Sequence, residues 1–152
     1  MRCLLLCCLP FTTVGAPLLR SEGVATTDAG TVAYREVHWQ QGAGEGPQRL
    51  VQYLCPNGQP FARKEMPATG LPLARGYILQ DRRSGQLAQV RVDGDRVGID
   101  WKEDAKARSQ LHRIALPANA VVDAGFDAAV RAHWQSLLQG GPLRLPFLVP
   151  GR

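Results

Sequence analysis

Apolar and polar residues alternate with a period of two in eight short stretches of this chain, separated by turn residues. Val97, Ile99 and Trp101 alternate with Arg96, Gly98 and Asp100, and Ala88, Val90 and Val92 alternate with Leu87, Gln89 and Arg91. Side chains on a strand point to opposite faces in turn, so each stretch reads as a strand with one dry and one wet face. The pattern predicts strands over 31–40, 48–55, 61–66, 77–82, 86–92, 96–101 and 110–116, with an eighth over 143–149. Asn57-Gly58, Ser84-Gly85 and Asp93-Gly94-Asp95 are tight-turn signals, and the last two join three consecutive strands into a meander. Residues 67–75, with two prolines and a glycine, read as a longer loop, and the charged run 102–108 as a solvated loop or one helical turn.

One stretch follows a different period. Phe126, Val130, His133, Trp134 and Leu137 recur at helical steps, which predicts an amphipathic helix from Asp123 to about Leu138. Asp123 is placed to cap it, Val121 and Val122 to staple it, and Gly140-Gly141-Pro142 to stop it. The prolines of the last strand put it at an edge or a bulge. The expected fold is α+β and mostly β: a curved antiparallel sheet, an open or half barrel, packed on one C-terminal amphipathic helix.

Composition narrows the setting. The chain has 152 residues with eleven prolines and sixteen glycines, which suits one turn-rich β domain. The net charge is +5, but Arg35, Arg49, Arg63, Lys64, Arg75, Arg82, Arg83, Arg91 and Arg96 are scattered along the strands rather than gathered. Nucleic-acid binding is therefore disfavoured, and a solvated polar face is the expectation for these groups.

The first residues join one arginine, an apolar run and then small residues, the pattern of a secretory signal peptide. Cleavage after Ala16 or Ala25 fits, and residues 1–25 read as leader and flexible lead-in to a single β-rich domain over 26–152. The apolar run is too short and too broken to span a bilayer, so no transmembrane segment is expected in the mature chain. Cys3, Cys7 and Cys8 lie in this leader, which leaves Cys55 without an internal disulfide partner, as a buried or half-buried inert thiol. The apolar strand directly before Arg152 invites the reading that the chain is truncated at its C-terminus.

No catalytic, metal or nucleotide motif stands out. His38, His112 and His133 lack ligand spacing, Asp93, Asp95 and Asp100 lack a calcium loop, and no helix follows Gly42, Gly44 and Gly46 to hold a phosphate. No cofactor and no metal is expected. Two constellations stay open. Glu36 and His38 share a strand face beside Tyr34, where a carboxylate could orient an imidazole for acid–base work, although a polar face produces the same pattern. Trp39, Trp101 and Trp134 are expected to meet between sheet and helix, where with Tyr34 they would line a cavity for an apolar ligand.

The segments Tyr34-Arg35-Glu36-x-His38-Trp39, Leu54-Cys55-Pro56-Asn57-Gly58-Gln59-Pro60-Phe61-Ala62-Arg63-Lys64 and Gly125-Phe126-Asp127-x-x-Val130-Arg131-x-His133-Trp134, with Pro146-Phe147-Leu148-Val149-Pro150, resemble a family of uncharacterised exported proteins of Gram-negative bacteria. The resemblance spans about residues 31–150 and implies a periplasmic or secreted β-rich protein, with no assigned activity. At fold level a sheet wrapped on a helix is also similar to periplasmic lipoprotein carriers. Three functions follow as expectations: a non-enzymatic exported protein that binds an apolar or lipid-like ligand or an envelope partner; a hydrolase-type enzyme using Glu36 and His38; or a structural envelope component. A deep apolar cavity speaks for the first, a Glu36–His38 contact in a cleft for the second, and a solid core for the third.

Overall fold

A computed structural model of the chain describes residues 17–42, 48–68 and 70–151. Eight strands form one antiparallel sheet in strict chain order: β1 (Leu18–Thr26), β2 (Val32–Gln41), β3 (Gln48–Leu54), β4 (Pro60–Met66), β5 (Tyr77–Asp81), β6 (Gln86–Asp93), β7 (Arg96–Lys102) and β8 (Gln110–Ala115). The sheet is open, with β1 and β8 at its edges. The expected turns hold the meander in register, as at Asp93-Gly94-Asp95, where Gly94 takes φ +57° and Val92 faces Val97. The predicted leader lies largely outside the described residues, as does most of the glycine-bearing loop after Gly42.

The lead-in expected to be flexible is in part a strand. Leu18–Thr26 pairs with β2 along its whole length, from Leu18↔Gln41 to Thr26↔Val32, with a bulge after Ala25. Its side chains are mostly exposed, so no apolar alternation marks it, and the backbone ladder rather than burial defines it. Arg20 and Arg35 flank Glu22 at 3.2 and 3.5 Å across this edge.

Direct cross-strand neighbours share a face. The row His38, Val51, Lys64, Leu79, Ala88, Trp101 therefore crosses one face of the sheet from β2 to β7. That face carries the core of Val51, Met66, Tyr77, Val90, Val97 and Ile99. Its apolar part runs from Val51 on β3 and Met66 on β4 through β5–β7, whereas β2–β4 also contribute Glu36, His38, Arg49 and Lys64 to the same face.

A C-terminal segment covers this face. It runs through β9 (Val121–Val122), a 3₁₀ turn (Asp123–Gly125), α1 (Phe126–Ala132), α2 (Trp134–Leu138) and β10 (Phe147–Leu148). Val121 and Val122 are completely buried, and Val122 belongs to the core cluster. Burial of each such side chain stabilises by about 1.5–3 kcal/mol. The Val122 N–H donates to the Leu73 carbonyl at 2.9 Å and the Val121 N–H to the Pro146 carbonyl at 2.8 Å, which holds β10 parallel to β9. The last expected strand is thus reduced to Phe147–Leu148 and pairs with β9, not with the edge of the main sheet.

The mostly β architecture with a C-terminal helix is as expected, and three details differ. The helix is broken at His133 (φ −111°, ψ 14°), whose ring Nδ1 lies 2.9 Å from the Ala129 carbonyl. Asp123 makes no capping bond, because its carboxylate pairs with Lys64 instead. The large apolar stripe does not face the sheet: Phe126 is 55% and Trp134 51% exposed, and Phe126 stacks edge-on against Phe147. The packed side carries small residues, the buried Gly125 and Ala129. A β-carbon at Gly125 would overlap the Leu73 carbonyl, so only glycine permits this approach.

Candidate functional site: an arginine-bearing apolar cavity

Strand direction in a meander brings alternate strand ends together. The ends of β2, β6 and β8 and the start of β3 lie at one end of the sheet, together with the 71–75 loop between β4 and β5. Between this end and α1 lies a cavity of about 990 Å³, partly open to solvent. Such a volume is at the upper end of the roughly 300–1,000 Å³ of small-molecule sites. Leu71, Leu73 and Leu116 form apolar wall, and Ala124 of the 3₁₀ turn with Ala128 and Ala132 of α1, four residues apart, give the C-terminal segment a smooth surface toward it.

Three guanidinium groups also line the cavity: Arg49 from β3, Arg75 from the loop before β5 and Arg131 from α1. Arg49 shares the covered face with Val51, and its Nη2 donates to Asp127 Oδ2 at 2.7 Å. Burial would raise the Asp127 carboxyl, but the hydrogen bond and charge of Arg49, helped by Arg131 and His38, hold it below the ordinary aspartate range. Arg75 is only 4% exposed. Burial, and then the like charge of Arg49, lower its proton affinity from the usual arginine value. Asp95, on the β6–β7 turn, is the one carboxylate among the described lining residues.

A second polar cluster lies farther along the same face. His38 Nε2 and Glu36 Oε2 are 3.0 Å apart, both part-buried. Tyr34, Tyr53 and Phe61 pack with ring centroids 6.1–6.3 Å apart. Burial, then Glu36, raises the phenols of Tyr34 and Tyr53 above their ordinary value. Lys64 joins the Asp123 carboxylate and lies 4.7 Å from the centroid of Tyr77.

The structure brings together Glu36 and His38, and sets Tyr34 beside Glu36. It does not bring the three tryptophans together. Trp39 alternates with His38 and so points to the opposite face, where it borders a smaller groove with Leu18 and Leu50. Trp101 is on the covered face under Gly151, at the strand end remote from the cavity. Trp134 is exposed on α2. Strand parity, applied to pairs rather than to single strands, separates Trp39 from Trp101, and Trp134 lies exposed like Phe126 because the side of Gly125 and Ala129 is the one that packs.

The expectation of a solvated face for the basic residues needs correction at Arg49, Lys64 and Arg75. Arg49 and Lys64 occupy the same alternation as Val51, and their side chains are only 14% and 11% exposed. That in-phase position was a sequence signal for both, whereas nothing local marked Arg75. Cys55 is free and half-buried, as expected. Among the described residues no group of three His, Cys, Asp or Glu is placed to hold a metal, and no helix is long and apolar enough to cross a membrane.

No family model, no curated protein and no solved structure matches this chain.

Proposed function

We propose that this is a non-enzymatic exported protein that binds an apolar, lipid-like ligand in the cavity between the sheet end and α1. The observation that carries the reading is the cavity itself. A solvent-open cleft of about 990 Å³, bordered in large part by leucine and alanine side chains, sits in a small domain, and concave, mostly apolar clefts of this size are the usual form of small-molecule sites. A space of this size with apolar walls gains free energy when a hydrocarbon replaces water in it. The apolar leader stretch and the resemblance to exported β-rich proteins support the cell envelope or its outside as the setting.

Native mass spectrometry of protein purified from its host tests this. The expected result is a co-purifying lipid-like species, lost when Ala128→Trp fills the cavity. Ligand-free protein that also fails to take up a neutral dye such as Nile red would overturn the reading.

The Glu36–His38 contact favours a second reading, a hydrolase in which the pair activates water. The pair is not among the residues that line the cavity, which places it second. Turnover of p-nitrophenyl esters that is lost in His38→Gln would favour it over binding alone.

A further inference from the structure

We propose that β1 is the interface of a homodimer, in which the edge strands Leu18–Thr26 of two copies pair antiparallel about a two-fold axis through Ser21 and join their sheets. The proposal stands apart from the reading of the cavity.

β1 ends one side of the sheet and, among the described residues, pairs with β2 alone. Its other edge presents a row of backbone N–H and C=O groups, the template on which a further strand adds. With nine residues it is longer than the usual strand of about five or six. Its Leu18, Leu19 and Val24 are at least half exposed. Cleavage of the expected leader after Ala16 retains this strand, and cleavage after Ala25 removes it.

The order of side chains selects the partner. Pairing with β2 puts Leu18, Arg20, Glu22 and Val24 on the face of Trp39, and Leu19, Ser21, Gly23 and Ala25 on the face of His38. When two copies join edge to edge about an axis normal to the sheet, every residue keeps its face. With Ser21 on the axis, Arg20 of each copy lies opposite Glu22 of the other, Leu18 opposite Val24, and Leu19 opposite Gly23. Charge meets opposite charge, apolar meets apolar, and the bulky Leu19 meets a residue without a side chain. An axis at Arg20 would set Arg20 against itself, and an axis at Glu22 would set Glu22 against itself. Like charges directly opposite are destabilising, so the centre at Ser21 is the register that satisfies both. Glu22 already has Arg20 and Arg35 of its own chain at 3.2 and 3.5 Å. Those bridges are solvent-exposed, and a carboxylate has acceptor sites for another guanidinium.

The opposite edge lacks this self-complementarity. All six residues of β8 are exposed, but Gln110–Ala115 carries no carboxylate. An axis at Arg113 opposes Arg113 to itself, and one at His112 opposes Leu111 to Arg113. Pairing of β1 with β8 would be head-to-tail and propagate into open chains of molecules, whereas β1 with β1 closes as a dimer.

Sedimentation velocity and native mass spectrometry of protein purified from its host test this, the intact mass also giving the N-terminus. Wild type is expected to start before Leu18 and to dimerise. Arg20→Glu makes the strand acidic and Glu22→Arg makes it basic, both at exposed positions. Each should weaken the dimer at least about tenfold, because both cross-strand charge pairs turn repulsive. An equimolar mixture of the two variants should restore a dimer, now a heterodimer, because an acidic strand again faces a basic one. A merely structural effect of either substitution would not give that recovery. A wild type that stays monomeric at submillimolar concentration, or a mature chain that starts after Ala25, would overturn the proposal. So would a dimer that both variants keep, open-ended oligomers, or variants that remain monomeric when mixed.

Discussion

Arg49 and Asp127, 78 residues apart in the chain, meet through a 2.7 Å bond that ties the start of β3 to the first turn of α1. The bond sets the helix over the end of the sheet and so shapes one wall of the cavity. It also gives the fold an acid sensitivity. Asp127 titrates below its unfolded value, near 3.9 for an ordinary aspartate. Between the two values the unfolded chain binds more protons, so stability rises with pH there. The contribution is present above about pH 4 and is lost as the pH falls through the lowered value. Chemical denaturation of Asp127→Asn should show a flatter stability profile than wild type below pH 5 and a lower stability at pH 7.

Lys64 and Asp123 make a second bridge between sheet and C-terminal segment. Removal of one partner from a fully buried pair costs about 3–5 kcal/mol. Asp123 is about one-third exposed, so solvent screens part of this. Lys64→Met should cost about 1–3 kcal/mol by urea denaturation, and the double variant Lys64→Met/Asp123→Leu should recover part of the loss.

Gly125 gives a test whose sign is informative. In an unhindered site glycine to alanine stabilises by about 0.4–1 kcal/mol. Here the new methyl would collide with the Leu73 backbone. Gly125→Ala is expected to destabilise by about 1–3 kcal/mol, as overpacking does, and to weaken binding of a neutral apolar probe because α1 must move.

Trp134 is exposed on α2. Trp134→Gln should change stability by no more than about 0.5 kcal/mol, as surface substitutions do. It should also remove the iodide-quenched part of the tryptophan fluorescence and leave the affinity for an apolar probe unchanged.

Strand parity was legible wherever one face is dry. Val90 and Ile99 announce β6 and β7, and the turn at Asp93-Gly94-Asp95 fixes their register. β1 was hidden because Leu18–Thr26 is an exposed edge, held by backbone bonds that no side-chain pattern records. The helix was legible as a helix, but not as to which side packs. Its bulky stripe suggested burial of Phe126 and Trp134, whereas close approach to Leu73 selects the face of Gly125 and Ala129. The Glu36–His38 contact could be read from their i, i+2 positions on one strand. The arginine lining of the cavity could not, because Arg49, Arg75 and Arg131 come to one cleft only through tertiary structure. A buried arginine on a core alternation, as at Arg49 beside Val51, was the one clue available.

The most direct test is to locate the bound hydrocarbon. Methyl NMR of alanine-labelled protein titrated with dodecanol should show shifts concentrated at Ala124, Ala128 and Ala132, with Ala88, the cross-strand neighbour of Trp101, unmoved. Perturbation confined to Ala88, or no methyl shift at saturating dodecanol, would contradict an apolar site between α1 and the end of the sheet.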